Sequence, residues 1–142
     1  MMKKLEKQNS KDIPIEIYEV THYARQLFDH LLDFNSLRNT KGTCLHASLL
    51  LAFMLERAGF ESKVCGGDGL SDGGLFTKKG GHGHYWCEVK NSPVSIIIDI
   101  TADQFGFEKI IIKMLDDINS WPKYIAGDRE VIEQHIIEYR SE

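Results

Sequence analysis

A chain of 142 residues is long enough for one domain with a single hydrophobic core. Hydrophobic residues make up 42% of it and charged residues 27%, as in an ordinary soluble globular protein. The formal net charge is −4 and the Lys and Arg residues are scattered, so the chain lacks a basic footprint for nucleic acid. No stretch is long and apolar enough to span a membrane. We therefore predict neither a nucleic-acid partner nor a membrane partner.

Residues 1–12 are predicted to be a solvated tail in front of a single domain at 13–142. The tail is basic but lacks the apolar run of a signal peptide. We therefore expect a cytoplasmic protein, and a substrate of a dedicated secretion system would have the same sequence features.

The first helix is predicted from about Ile15, because apolar residues recur at helical spacing as far as Leu32. The apolar positions are Val20, Tyr23, Ala24, Leu27, Phe28, Leu31 and Leu32. The opposite, polar face is formed by Glu19, Arg25, Gln26, Asp29 and Asp33. His22 and His30 fall among the polar positions and are predicted to lie on the surface. Residues 35–42 are predicted to be a polar connection.

A second helix is predicted at 44–58, where apolar residues point in almost every direction. A helix that is apolar all round is a buried one. Thr43 is a plausible N-cap, which places Cys44 in the first turn, and Gly59 suits the C′ position that ends a helix. The unpaired amides and the peptide dipoles at a helix N-terminus favour a thiolate at Cys44.

A short strand at 61–65 is followed by a segment with eight glycines, 66–83. We predict that this segment is a long mobile loop that borders the cleft and gates or selects the substrate.

Two further strands are predicted at 84–89 and 94–100, joined by a turn at 91–93 into an antiparallel hairpin. With the turn centred there, His84 and Asp99 face each other directly. The second strand is rich in β-branched residues, which indicates a central position in the sheet.

The remaining predictions are a strand at 108–114, with a helix as the alternative, an irregular segment at 116–128 and a helix at 129–139. The predicted fold class is α+β, with helices packed on a small, mostly antiparallel sheet.

Three residues in these elements suit nucleophilic catalysis by cysteine. Such catalysis needs a thiolate, an imidazole that holds and donates a proton, and a group that orients the imidazole. Cys44 lies at a helix N-terminus, His84 begins a strand and Asp99 ends the neighbouring strand. We predict that these three side chains meet.

The sequence resembles the transglutaminase-like branch of the papain-like cysteine enzymes over roughly residues 40–106. The matching stretches are Gly-Thr-Cys-Leu-His-Ala at 42–47, Leu-x-Arg-x-Gly-Phe at 55–60, His-Tyr-Trp-Cys-Glu-Val at 84–89 and Ile-Asp-Ile-Thr at 98–101. The resemblance implies a papain/transglutaminase-like core, in which a buried nucleophile helix packs on the sheet between flanking N- and C-terminal helices.

The resemblance also implies residue roles: Cys44 as nucleophile, His84 as general base and acid, and Asp99 as the orienting acid. Trp86 and Glu88 match the family's strand pattern after the histidine, and Thr101 matches the threonine after the aspartate. The segment that follows, 102–106, resembles that of small bacterial members of the family.

The implied activity is that of a thiol-dependent hydrolase or acyltransferase acting on an amide bond of a peptide or protein through a thioester. Protease, deamidase and transglutaminase reactions are all compatible with the pattern, and no cofactor or metal is expected. An oxyanion donor is required. The backbone amide of Cys44 is one candidate, Asn39 and Gln104 are side-chain candidates, and Trp86 is a candidate wall of the site.

Other interpretations of the same residues stay open. Cys44 could be a small buried hydrophobic residue in a catalytically inactive papain-like binding module. His82 and His84 could bind zinc together with Cys44 or His46. Glu88 could be a site carboxylate or an ion-pair partner.

The three cysteines are predicted to be free thiols. Their number is odd and no C-x-x-C motif is present, although the spacing of Cys65 and Cys87 would permit a disulfide. Oligomeric state is left open.

Overall fold

The computed structural model describes residues 13–34 and 43–141, which contain three α-helices and seven strands. In chain order the elements are α1 (Ile15–Phe34), α2 (Cys44–Arg57), β1 (Ser62–Gly67), β2 (Gly74–Thr77), β3 (Gly80–His82), β4 (His84–Val89), β5 (Ile96–Asp99), a 3-10 turn (Ala102–Phe105), β6 (Ile111–Met114), β7 (Lys123–Ile125) and α3 (Arg129–Arg140). None of the helices described is long and apolar enough to cross a membrane.

The strands form two small sheets in which every pair is antiparallel. The larger sheet has the order β1-β4-β5-β6 and the smaller one the order β3-β2-β7. The predicted α+β class with a mostly antiparallel sheet is therefore confirmed.

The main core lies between the helices and one face of the larger sheet. Its buried residues come from α1, α2, α3 and the sheet, with Phe28, Leu51 and Ile98 among them. A second, smaller cluster lies on the other face of this sheet. Cys65, Trp86 and Ile97 form that cluster, and Tyr124 of the smaller sheet packs against it. The larger sheet is thus covered on both faces.

Helix α1 forms where the apolar spacing predicts it, but two of its residues lie on the side opposite to the prediction. Tyr23, placed in the apolar stripe, is 60% exposed. Arg25, placed on the polar face, is only 6% exposed, because it borders the buried stripe and has charged partners there. His22 and His30 are exposed, as predicted.

The ends of α2 agree with the prediction in part. Gly59 has φ +97°, and the amide of Phe60 donates to the carbonyl of Leu55 at 2.9 Å, so the helix ends in a Schellman-type turn with Gly59 at C′. Thr43 occupies the N-cap position, but its side chain makes no capping hydrogen bond.

The prediction that α2 is buried on all sides was wrong. Its buried residues form one stripe, whereas Phe53 is 58% exposed. The buried residues are Ala47, Ser48, Leu51 and Leu55. A single sheet face and α1 cannot surround a helix, so the remaining apolar side chains of α2 stay half-buried or exposed.

The glycine-rich segment 66–83 contains the end of β1 and the hairpin of β2 and β3, so the prediction of a long loop was wrong. Strands β2 and β3 pair within it, and β2 also pairs with β7. A Cβ atom at Gly67 would lie 2.2 Å from the backbone nitrogen of Gly74, so this glycine permits close backbone contact. The carboxylate of Asp68 accepts hydrogen bonds from the backbone amides of the turn that follows it.

The hairpin of β4 and β5 forms, but its register differs by two residues from the prediction. Cys87 pairs with Ile98, where the predicted turn would pair it with Ile96. A shift of two residues leaves every side chain on the same face of the sheet, whereas a shift of one would invert the faces. His84 and Asp99 therefore still share a face, although they are not directly opposite.

The C-terminal third contains the predicted strand and helix together with one unpredicted strand. Strand β6 and helix α3 lie at the expected places, and Asp128 caps α3 by accepting from the amide of Glu130. Strand β7 falls within the segment 116–128 that was predicted to be irregular.

Candidate catalytic site

The structure brings together the histidine and the aspartate that the sequence pairs. His84 begins β4 and Asp99 ends β5, both are buried, and Nε2 of His84 lies 2.8 Å from Oδ2 of Asp99. The carboxylate is well placed to accept the ring N–H. This leaves Nδ1 as the ring nitrogen available to a third group.

The carboxylate of Asp99 is saturated by hydrogen-bond donors. Besides His84, the hydroxyl of Tyr124 donates to Oδ2 at 2.8 Å. The amide of Thr101 donates to Oδ1 at 2.9 Å, and its hydroxyl lies 3.4 Å from the same oxygen. A buried anion requires such partners, since an unpaired one would be costly. The arrangement fixes the position of the carboxylate.

Tyr124 is a site residue that the sequence analysis missed. It lies on β7, in the segment predicted to be irregular, and reaches Asp99 from the smaller sheet. Burial raises the pKa of Tyr124, and the charge and hydrogen bond of Asp99 raise it further, so the phenol remains a donor. The strand that carries Tyr124 has three residues, which is too short for an alternating pattern to be recognised in the sequence.

Two aromatic rings hold the imidazole of His84 in place. Trp86 is buried two residues along the same face, with its ring stacked 6.3 Å from that of His84. Phe105 meets the imidazole edge-on at 5.0 Å. Trp86, the predicted site wall, is therefore a buried neighbour of the imidazole. Its indole N–H has no hydrogen-bond partner among the described residues.

Cys44 interacts with the imidazole from the N-terminus of α2, where it is half-buried. Burial alone would lower the pKa of His84, but the charge and hydrogen bond of Asp99, followed by those of Cys44, raise it to about 9. The contact with the thiol is loose, since Nδ1 makes no well-aligned hydrogen bond to any described residue. Asp99 and Cys44 thus both interact with the imidazole of His84.

The other two cysteines differ sharply from Cys44. All three are free thiols, as predicted, but Cys65 and Cys87 are buried. Burial raises the pKa of Cys65 to about 12 and that of Cys87 well above its ordinary value. Of the three thiols, Cys44 is the one with both access to solvent and a cationic neighbour.

Arg25 is a second residue that the sequence analysis missed. Its guanidinium donates to the carbonyl of Ile100 at 2.7 Å and to both carboxylate oxygens of Asp103 at 3.0 Å. A further bond joins it to Asp29 on α1 at 2.9 Å. Arg25 therefore ties α1 to the segment that directly follows Asp99.

The proposed side-chain oxyanion donors have no demonstrated place at the thiol. Asn39 lies outside the described residues. Gln104 is in the 3-10 turn, and its amide donates to the carbonyl of Thr101 at 3.1 Å. Glu88, whose role was open, has its carboxylate 4.0 Å from the ammonium of Lys63, near the end of β4 remote from His84.

Two surface grooves lie near the 3-10 turn. One of about 670 Å³ is lined by residues of the β2–β3 hairpin, by Gln104 and by Phe105, which also contacts His84. The other, of about 520 Å³, lies between α1 and β6. None of the three predicted catalytic residues lines either groove.

Within the part of the chain that is described, no three His, Cys, Asp or Glu side chains come close enough together to hold a metal ion. Comparison of the chain with protein-family models, with curated proteins and with solved structures finds no match.

Proposed function

We propose that the protein is a thiol-dependent hydrolase or acyltransferase that acts on an amide bond of a peptide or protein. The observation that carries the proposal is the buried pair of His84 and Asp99 at 2.8 Å, with the thiol of Cys44 acting on the same imidazole. In this constellation Cys44 is the nucleophile, His84 exchanges the proton and Asp99 orients the ring.

The reaction follows from these roles. The thiolate of Cys44 attacks the amide carbonyl carbon, and the resulting oxyanion is stabilised by backbone amides in the first turn of α2. The C–N bond then breaks as the imidazolium of His84 transfers its proton to the leaving amine, which leaves a thioester. Water or an amine attacks the thioester, His84 accepts the proton of that nucleophile, and the thiolate departs.

The electrostatics support this assignment. A pKa of about 9 keeps the imidazolium of His84 protonated near neutral pH, so the acid needed for amine departure is already present. An imidazolium also stabilises a neighbouring thiolate, as does the helix N-terminus at which Cys44 lies.

The architecture supports the finer prediction of a papain/transglutaminase-like core. A helix with cysteine as its first residue packs on an antiparallel sheet, and adjacent strands of that sheet supply the histidine and the aspartate. This is the arrangement that the sequence resemblance implies.

Selective alkylation tests the proposal. We expect iodoacetamide near neutral pH to modify Cys44 first, as located by mass spectrometry of peptides. The variant Cys44→Ala should lose both this label and any amide-cleaving or acyl-transfer activity, whereas the matched control Cys65→Ala should keep them. An unreactive Cys44, or label on Cys65 or Cys87 alone, would contradict the proposal and favour an inactive binding module.

A further inference from the structure

The groove beside the candidate site combines an aromatic floor with a cationic rim. Phe105, Phe107 and Trp121 supply three aromatic side chains to its lining, and Trp121 is 38% exposed. Lys78 and Lys79, both exposed, stand at the rim. A partly exposed aromatic surface next to exposed cations is suited to a ligand that has both apolar and anionic groups.

One aromatic ring, that of Phe105, lies between the groove and the candidate catalytic histidine. Phe105 contacts the ring of His82 at 4.9 Å on the groove side and the imidazole of His84 at 5.0 Å on the site side. A chain segment lying in the groove is therefore separated from the buried imidazole of His84 by the ring of Phe105. We treat the groove as a candidate position for residues that flank a reacting amide.

The groove is positively charged, whereas the protein as a whole is negatively charged. The formal net charge is −4, yet no carboxylate is present among the described residues that line the groove. A third ammonium, that of Lys123, lies 4.4 Å from the ring centroid of Trp121. A hydrogen bond fixes the turn that carries Lys78 and Lys79: the hydroxyl of Thr77 accepts from the amide of Lys79 at 3.0 Å.

We propose that this groove binds an acidic peptide segment in which a bulky apolar side chain is flanked by carboxylates. The apolar side chain would lie on Phe107 and Trp121, and the carboxylates would pair with Lys78 and Lys79. The inference rests on the proposed function in treating this segment as part of the substrate, but binding itself requires no catalysis.

Fluorescence anisotropy with the full-length Cys44→Ala variant separates binding from turnover. The probes are three fluorescein-labelled peptides of equal length: one with Phe between Glu residues, one with Phe between Lys residues, and one with Gly between Glu residues. We expect the first to bind most tightly, and added salt to weaken it, because exposed charges are screened. Equal binding of the first two peptides would overturn the inference.

Charge reversal at the rim provides the second test. In the Cys44→Ala background, Lys78→Glu/Lys79→Glu should weaken binding of the acidic Phe peptide about tenfold, since two rim contacts are lost and two repulsions are added. The control Lys90→Glu/Lys109→Glu changes the net charge equally outside the groove and should leave binding unchanged. Equal loss in both double variants, or loss in neither, would contradict the assignment.

The outcomes also distinguish this inference from the proposed function. Selective binding of the acidic Phe peptide by a protein whose Cys44 resists alkylation would support the groove and reject the enzyme. A reactive Cys44 with no preference for acidic peptides would support the enzyme and reject the groove.

Discussion

Ile98 and Asp99 are neighbours in β5 and equally buried, but they face opposite sides of the sheet and meet opposite environments. Ile98 packs in the apolar core beneath the helices. Asp99 accepts hydrogen bonds from His84, Thr101 and Tyr124 on the other face. Strand alternation thus separates a face that stabilises the fold from a face that holds the candidate chemistry. Variants of the two faces should therefore fail in different ways.

The largest expected effect belongs to Asp99→Asn, on the polar face. The amide keeps the size of the carboxylate but removes the charge that raises the pKa of His84. If the proposed function is correct, we expect the rate of amide cleavage or acyl transfer to fall by about a thousandfold or more, by analogy with established catalytic triads. The rate of product formation measures the fall. A rate like that of the native protein would show that Asp99 is not the orienting acid, and Ile97→Val on the same face is the control.

Ile98→Ala should produce the opposite result. It leaves a cavity in the main core and should cost about 3 kcal/mol of unfolding free energy. Urea denaturation measures this loss. Alkylation of Cys44 should stay near the native rate under conditions in which the variant is folded. If alkylation of Cys44 instead slowed strongly in folded Ile98→Ala, the two faces would not be independent.

The raised pKa of His84 predicts a dependence of stability on pH. The folded protein holds this proton up to about pH 9, whereas an unperturbed histidine loses it near pH 6.5. The pair therefore contributes its full stability below pH 6.5, and the contribution is lost as the pH rises through about 9. We expect a loss on the order of 3 kcal/mol over this window, measured by denaturation. His84→Gln should flatten the dependence, and an unchanged slope would refute the assignment.

Arg25→Met tests whether the proposed activity requires Arg25 to anchor the segment that follows Asp99. Removal of the guanidinium leaves the carbonyl of Ile100 and the carboxylate of Asp103 without their partner, at a cost of about 2 kcal/mol. We expect product formation to slow as well, with partial recovery in Arg25→Lys. Thermal unfolding measures the loss of stability, and the rate of product formation in the same variants measures the loss of activity. A loss of stability with a native rate would confine Arg25 to folding.

The smallest effect is expected for Tyr124→Phe, which removes one of the donors to Asp99. One hydrogen bond to a buried carboxylate corresponds to about 1–2 kcal/mol. We expect this loss in unfolding free energy and a modest decrease in the rate. Tyr23→Phe, an exposed position, is the matched control and should be silent. An effect as small in Tyr124→Phe as in the control would remove Tyr124 from the site.

Local patterns predicted the elements that carry the site. The spacing of apolar residues predicted α1, and the start of α2 at Cys44 and its end before Gly59 followed from helix-terminus chemistry. The alternation and turn signals predicted β4 and the hairpin with β5. The prediction that His84 and Asp99 share a face of the sheet was correct, because an error of two residues in the register leaves each side chain on the same face.

Contacts between distant parts of the chain were not predictable in this way. Arg25 looked like a surface residue because its partner Asp103 is far along the chain, and Tyr124 looked irregular because β7 exists only through its pairing with β2. The glycines of 66–83 looked flexible, although several of them permit close backbone contact in an ordered hairpin.

The sequence by itself determined which residues could form a nucleophile, a base and an orienting acid, because these properties depend on residue type, helix ends and strand parity. Only the tertiary structure decided what surrounds them: the donors that saturate Asp99, the rings that hold His84 and the groove beside Phe105. The physical reason is that local patterns encode a backbone conformation and a face. Hydrogen bonds and packing between distant segments depend instead on how the two sheets and the helices assemble.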